Sequence, residues 1–470
     1  MRNLRWLSPT AWFLFSAGMW GPVRADSNSP LVLVNPTVSI ETSRLPNGLQ
    51  VVLHEDHRTP IVTVNVWYHV GSKDEPAGKN GFAHLFEHMM FQGSKHVPED
   101  AYFRTLERVG ASDINGTTNT DRTNYFETVP KNQLALALWL ESDRMAFLLD
   151  HVDQLTFAGQ RDVVKNERRQ NYENAPYGLV GMWIREQLFP KEHPYHLLTI
   201  GTPQDLDAAS LDDVKAFFRT WYVPSNATVV VAGDIDKAQA KDLVDKYFGP
   251  IVGNPPPARS TPPPVKLSGV TRIEASAGVE LPRVYVSWPT PAFFAPGDGE
   301  LDVVARVLAG GKTSRLYKRL VYDLQIAQDV SAAQASMQLA SVFEITATAQ
   351  PGHTADELLK VIDEELKKLA DGGADDGETT RAKTIIRSQT LFDLERDSTR
   401  ADRINSYGHY TGDPGFLPKD LDRYAKISTP DVKGAMQWLP LDKRVITVVT
   451  PVKGAPISGK LDAVKPGVKP

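Results

Sequence analysis

The chain has 470 residues, of which 41% are hydrophobic and 23% are charged, a composition typical of soluble globular proteins. That length predicts two domains. The net charge of -5 comes from 52 basic and 57 acidic residues without a basic block, so the charge pattern does not indicate a nucleic-acid partner. The chain has no cysteine, so any metal site must use histidine and carboxylate ligands.

The N-terminus has the pattern of a secretory signal peptide. Two arginines precede a mainly apolar run from Trp6 to Trp20, and Val23 and Ala25 are small residues at the positions a signal peptidase recognises. We therefore expect residues 1–25 to be removed on export, and a periplasmic location. The run is too short and interrupted to span a bilayer well, and no later segment reaches that length. No membrane span is expected in the mature chain.

Hydrophobic patterning predicts an α+β domain after the signal peptide. Strands and helices follow one another without strict alternation. The predicted strands are Leu49–His54, Ile61–Tyr68, Thr117–Val129 and Ala227–Ala232, and the predicted helices are Gly81–Phe91, Gln133–Leu149 and Phe157–Tyr172.

Residues 252–268 contain two Pro-Pro-Pro runs, which favour an extended linker. This boundary predicts domains 26–251 and 269–470; a long surface loop within one domain is the alternative. Trp221 and Trp438 each lie shortly before a proline and a β-branched strand. The recurrence indicates a duplicated domain, although a chance match of one short segment would look the same.

The segment from His84 to His88 carries the clearest chemical signal. On a helix, the two histidines and Glu87 lie on one side, and the apolar neighbours face the other. Zinc accepts two imidazoles and a carboxylate while keeping a position for water, and Glu87 would act as the general base. The alternative is an ordinary polar helix face.

A third ligand is expected on the predicted helix that follows Phe157. Taking Val163 and Val164 as the inward direction, Glu167 points inward, whereas Asp162 and Glu173 point outward. An inward carboxylate without a partner would be costly. We therefore predict that Glu167 completes the zinc site with His84 and His88; a salt-bridged helix face is the alternative.

These residues resemble the inverted zinc motif of the inverzincins. More narrowly they resemble the pitrilysin family, which includes mitochondrial processing peptidases and insulin-degrading enzyme. The segments supporting the resemblance are His84–His88 with its flanks, Asn115–Tyr125, Asn166–Arg169 and Gly310–Leu316.

The resemblance implies two homologous domains, each a mostly antiparallel sheet covered by helices, in a clamshell-type peptidase. It supports Glu167 as the third ligand. It also implies that a peptide substrate pairs as an added strand on an edge here formed by Asn115, Gly116, Thr117 and Thr118.

Two positions depart from the family pattern. Gln160 stands where relatives often carry a second acidic residue. Relatives also use an Arg and a Tyr seven residues apart to hold the substrate, whereas Arg319 is followed at that spacing by Ile326. We therefore expect a homologous partner chain to supply the Arg/Tyr pair in a heterodimer, with a homodimer as the alternative.

The function expected from these features is a zinc-dependent endopeptidase that cleaves peptides or small unfolded segments in an enclosed chamber. Two alternatives remain. One is a non-catalytic subunit of the same fold that binds peptides or partners. The other is a metal-dependent hydrolase of a different substrate, such as a small ester.

Overall fold

The structure is a computed structural model that describes residues 35–259 and 261–468. The predicted signal peptide lies outside the described residues. The chain from Pro36 onward forms one compact unit built on two six-stranded sheets. None of the described helices is long and apolar enough to cross a membrane.

The two sheets have equivalent strand orders, β1-β2-β6-β3-β5-β4 and β12-β7-β11-β8-β10-β9. Among the strands of the described residues, β2 with β6 and β7 with β11 are the parallel pairs, and the remaining pairs are antiparallel. The strands are β1 Ile40–Arg44, β2 Gln50–Glu55, β3 Ile61–Tyr68, β4 Ser112–Thr118, β5 Thr123–Pro130, β6 Ala227–Gly233, β7 Val270–Ala277, β8 Arg283–Thr290, β9 Ala327–Ala335, β10 Ser341–Ala349, β11 Val445–Pro451 and β12 Lys460–Val468.

Helices cover both sheets. The helices are α1 Phe82–Met89, α2 Ala101–Arg108, α3 Leu134–Phe147, α4 Gln154–Arg168, α5 Val180–Leu188, α6 Pro203–Asp207, α7 Leu211–Trp221, α8 Lys237–Phe248, α9 Asp298–Ala309, α10 Ala355–Gly372, α11 Asp376–Asp393, α12 Asp397–Thr411, α13 Leu417–Lys426 and α14 Thr429–Ala435. Between α8 and β7, the described residues form neither helix nor strand; whether a domain boundary falls at 252–268 stays a prediction.

The two halves exchange one helix each. Ala401 and Ile404 of α12 pack on Val52 and Val230 of the first sheet. Reciprocally, Trp183 and its neighbours on α5 pack on β7 and β11 of the second sheet. With helices on both faces, β3 and β6 are buried at almost every position, which explains their nearly continuous apolar sequences.

The predicted architecture of two sheet-and-helix halves is confirmed, but one predicted strand is wrong. Thr117–Val129 is not a single strand: it contains the end of β4, a turn, and most of β5. The side-chain Oδ1 of Asn119 accepts hydrogen bonds from the backbone N–H groups of Asp121 (2.7 Å) and Arg122 (2.9 Å). An Asn that bonds the backbone in this way initiates a turn.

Candidate metal centre

Helix α1 places His84, Glu87 and His88 on its polar side. Its apolar side, which includes Leu85 and Phe86, is buried in the first core. Burial of that face fixes the rotation of the helix about its axis. His84 and His88 are therefore directed toward Glu167 of α4.

Helix α4 carries Glu167 one residue before its end. Asp153 caps the helix by accepting a hydrogen bond from the backbone N–H of Thr156. The inward direction is set by Val164, which is fully buried, whereas Val163 is 44% exposed. Glu167 still lies on the inward side of α4. The prediction from Val163 and Val164 therefore gave the correct direction, although only Val164 is buried.

The two helices bring the three predicted ligands together. Oε2 of Glu167 lies 3.2 Å from Nε2 of His88 and 3.6 Å from Nε2 of His84. Ligand atoms at zinc bonding distance in a tetrahedral site are separated by about 3.3 Å. The three residues therefore fit a zinc ion in spacing and in donor type. Among the described residues they form the sole cluster of three or more potential metal ligands.

The electrostatics of the cluster favour its metal-binding form. Burial lowers the pKa of His84 to about 4, and the charge of His88 acts in the same direction, against that of Glu167. A hydrogen bond with His88 lowers the pKa of Glu167. Neutral imidazole and ionised carboxylate are the states that bind a metal.

Glu87 lies beside the cluster on the same helix. Burial raises the pKa of Glu87, while a hydrogen bond with the side chain of Thr118 lowers it. A carboxylate whose pKa is raised toward neutrality is suited to accept and release a proton. Thr118 ends β4, so the Glu87 carboxylate is tied to the edge of the first sheet.

The segment Asn115–Thr118 occupies the outer strand of that sheet, beside Glu87. A Cβ atom at Gly116 would lie 3.1 Å from Cγ of Glu87 and 3.0 Å from the Tyr125 ring. The missing side chain of Gly116 thus makes room for neighbouring side chains of the protein.

Two contacts of the site were not predicted. Asn171 donates a hydrogen bond to Glu167, and Thr118 bonds Glu87. The first had a sequence signal, because residues four apart are neighbours on a helix. The second depends on two segments meeting in the fold. Gln160 is partly buried on α4, and no hydrogen bond links it to the described ligands.

Helix α9 of the second half begins in the same way as α1 but lacks its metal-ligating residues. Gly81 and Gly297 precede α1 and α9 with φ of 100° and 99°. Counting from these glycines, Val303 and Val304 stand where Glu87 and His88 stand in α1. Both valines are fully buried. Helix α9 therefore has a packed apolar face in place of a metal site.

The position expected for the Arg/Tyr pair, Arg319 with residue 326, does not carry that pair in the second half. Arg319 pairs with Glu365 (2.8 Å) and Glu364 (2.5 Å). Ile326, at the predicted Tyr position, packs against the second core. The nearby Arg315 is bound by both oxygens of Glu378.

Two family models match this chain. A model described as insulinase (peptidase family M16) matches residues 50–192, and one described as the peptidase M16 inactive domain matches residues 208–386. The zinc protease PqqE of Helicobacter pylori is 31% identical over 78% of this chain and 83% of its own. A mitochondrial-processing peptidase subunit beta of Arabidopsis thaliana is 25% identical over 93% of this chain and 82% of its own.

Solved structures show the same fold. A protease from Helicobacter pylori superposes with a TM-score of 0.82 at 27% identity, covering 88% of this chain and all of that one. The periplasmic protease PqqL of Escherichia coli has a TM-score of 0.73 at 18% identity, covering 90% of this chain and 50% of that one. Sequence identity and fold together establish that this chain belongs to the M16 (insulinase) family of peptidases.

Proposed function

We propose that this chain is an exported zinc endopeptidase that hydrolyses peptides or small unfolded segments inside an enclosed chamber. The observation that carries the proposal is the convergence of His84, His88 and Glu167 next to a half-buried Glu87. That set supplies three ligands and one base. Relatives named zinc proteases support the same activity.

The chemistry assigns a separate role to each residue. His84, His88 and Glu167 would hold the zinc ion, which supplies Lewis acidity for the scissile carbonyl and lowers the pKa of water. Glu87 would take the proton of the attacking water and deliver it to the leaving amine. The hydrogen bond from Thr118 would keep that carboxylate oriented toward the outer strand.

The proposed peptide site is the outer edge of β4, at Asn115, Gly116, Thr117 and Thr118. β4 is the last strand of the first sheet, so its outer backbone groups are available for pairing with an extended peptide. Gly116 and Thr118 also touch Glu87. A peptide added there would lie across the base and the metal ligands.

The working enzyme would include a second, homologous chain that contributes the Arg/Tyr pair. Arg319 pairs with two glutamates and has Ile326 seven residues later, while Arg315, which has Tyr322 at that spacing, is already paired with Glu378. A second copy of this chain would bring the same residues, so a heterodimer is favoured over a homodimer. The Arabidopsis relative is itself named as a subunit.

Export to the periplasm is proposed from the sequence of residues 1–25, which lie outside the described structure. The Escherichia coli protease that shares the fold is titled a periplasmic protein. This location can be tested by adding a protease to intact and to lysed spheroplasts and following the mature chain. A periplasmic chain should be degraded in both. Protection in intact spheroplasts would contradict it.

A second candidate is a subunit that binds peptides without cleaving them. The match of residues 208–386 to a domain described as inactive favours this alternative. The intact ligand cluster in the first half argues against it. A chain that binds zinc and peptide but does not hydrolyse the peptide with any homologous partner would support the binding subunit.

The first experiment is to measure zinc content per chain and hydrolysis of a quenched fluorescent peptide. Wild type should bind one zinc ion, and Glu167→Gln should lose it. Asp162→Asn, an exposed position on the same helix, is the matched control. Retention of zinc in Glu167→Gln would move the third ligand elsewhere. Absence of zinc from wild type would overturn the proposal.

The same assay decides whether a partner is required. We expect low hydrolysis by the chain alone and a large increase after mixing with a homologous chain that carries the Arg/Tyr pair. Size-exclusion chromatography should then show a mixed dimer. Full activity of the isolated chain would contradict the role assigned to the partner.

A further inference from the structure

The residue that precedes helix α1 is Gly81, which has no side chain with which to cap the helix. Gly81 has a φ of +100°, and a Cβ atom there would lie 2.8 Å from the Cα of Gly201. The position therefore excludes the Ser, Thr, Asp or Asn that usually caps a helix. The first N–H groups of a helix have no partner within it, so acceptors for α1 must come from another segment.

Glu75 provides those acceptors from the loop before the helix. Its Oε1 accepts from the backbone N–H of Ala83 at 2.9 Å, and its Oε2 accepts from the backbone N–H of Gly81 at 3.1 Å. Oε2 also accepts from the side-chain amide of Asn80 at 3.0 Å. Burial raises the pKa of Glu75 to about 8, although all three hydrogen bonds favour its ionised form. The carboxyl group is thus kept in a costly environment at the start of α1.

The same region contacts the other ligand-bearing helix. The backbone carbonyl of Gly201 accepts a hydrogen bond from Arg168 at 2.6 Å, and Arg168 follows Glu167 on α4. The carbonyl of Leu198 accepts from Asn80 at 3.2 Å. The segment from Leu198 to Gly201 therefore contacts the start of α1 and the end of α4. Glu75 links the start of α1 to this segment through Asn80, which bonds both Glu75 and Leu198.

We propose that Glu75 is a positioning residue that holds the first turn of α1 in the place where His84 can bind metal; this inference rests on the proposed zinc site. His84 is the third residue of the helix, and the first turn is where a helix frays. Glu75 anchors the N–H of Ala83, the residue immediately before His84. Without that anchor, His84 would lose its fixed distance from Glu167.

The test is the zinc affinity of the mature chain, measured by competition with a chromogenic chelator. We expect Glu75→Ala to weaken zinc binding about tenfold, as loss of a residue supporting metal ligands typically does. Glu75→Gln retains the shape and one acceptor oxygen, so it should weaken binding less. If Glu75→Ala does not fold, Glu75→Gln decides the question, and affinity equal to wild type would overturn the proposal.

The second half offers a matched control. Glu300 accepts a hydrogen bond from the backbone N–H of Gly297 at 3.1 Å, and so supports the start of α9, which carries no metal ligands. Glu300→Ala should lower thermal stability without changing zinc affinity. Equal weakening of zinc binding by Glu75→Ala and Glu300→Ala would reduce Glu75 to a general contributor to stability and overturn its positioning role.

The outcome for wild type separates this inference from the proposed function. Absence of zinc from wild type would refute the metal site itself, and the role of Glu75 with it. Tight zinc binding by wild type and by Glu75→Ala alike would leave the metal site intact and refute the role of Glu75 alone. Affinities should be measured well below the unfolding temperature of each variant, with circular dichroism confirming the fold.

Discussion

The side-chain amide of Asn171 donates a hydrogen bond to Oε1 of Glu167 at 3.3 Å. The other carboxylate oxygen, Oε2, is the one that faces the two histidines. Asn171 lies in the π-helical turn Arg169–Glu173 that continues α4, and such turns are frequent at functional sites. The contact fixes which oxygen of Glu167 is presented to a metal.

We therefore expect Asn171→Ala to weaken zinc binding about tenfold by releasing the Glu167 carboxylate. Asn166→Ala is the matched control, because Asn166 is an exposed amide on α4 that bonds Arg169 instead. Chelator competition measures both. Equal zinc affinity in Asn171→Ala and wild type would show that the hydrogen bond does not orient the ligand.

Glu87→Gln should abolish most hydrolysis while leaving zinc bound. An amide cannot accept the proton of the attacking water, and loss of a general base typically costs about 10²–10⁴-fold in rate. His88→Gln should lose zinc and activity together. The measurements are zinc content and peptide hydrolysis in the presence of the partner chain. Substantial activity in Glu87→Gln would assign the base to another residue.

Acid should destabilise the contact between α12 and the first sheet. Nδ1 of His69 lies 2.7 Å from Nδ1 of His409, and the two rings stack. Burial lowers the pKa of His69 to about 3, and the positive charges of Arg259, Lys73 and Arg44 act in the same direction. Burial likewise lowers the pKa of His409.

The sign of this effect follows from the depressed pKa. Between about pH 6.5 and 3, the unfolded chain binds a proton at His69 that the folded chain does not. The free energy of unfolding therefore decreases as the pH falls below about 6.5. The loss is at most about 1.4 kcal/mol per pH unit for each such group. Melting temperatures from pH 7 to 5 should fall less steeply in His409→Gln than in wild type. Equal slopes would contradict the prediction.

His57 provides a control of opposite sign. It is exposed, and hydrogen bonds to Asp234 and Glu55 raise its pKa, so its contribution is present in acid and is lost as the pH rises. His57→Asn should therefore make the fall in stability on acidification slightly steeper. A pH slope that changed in the same direction for His57→Asn and His409→Gln would point to a general charge effect.

The exchange of helices should make the stability of each half depend on the other. Trp183 of α5 is 5% exposed and packs on the second sheet, so Trp183→Ala should cost about 3–5 kcal/mol of unfolding free energy. Trp438→Ala should lower the free energy of unfolding much less, because Trp438 is 40% exposed. Denaturant unfolding measures both, and equal costs would contradict the assigned packing.

Much of the site could be predicted from the sequence spacing of its residues. His84, Glu87 and His88 lie on one helix, and helix geometry places them on the same side. Glu167 required only the inward direction of a second helix. The turn after Thr118 was missed because Asn119 breaks a run of otherwise strand-forming residues through a side-chain hydrogen bond. Glu75 was missed because its role depends on a close approach between Gly81 and Gly201, which are distant in sequence.

The exchange of α5 and α12 could not be predicted for a different reason. An apolar helix face records that a helix is buried, but it does not identify the surface that covers it. Nothing in the sequence around Ile404 or Trp183 distinguishes it from a core residue of its own half. The structure instead places each on the sheet of the other half.

The last strand of the described chain, β12, protects the second sheet against unwanted association. β1 and β12 occupy one outer edge of each sheet, and β12 is charged and exposed, with Lys460, Lys465 and Pro466 along it. Lysine and proline on an edge strand discourage pairing with other chains. Removing β12 would open β7 to intermolecular pairing and aggregation. With β12 in place, the β9 edge is the one left for strand addition on the second sheet, while on the first sheet the β4 edge lies beside Glu87.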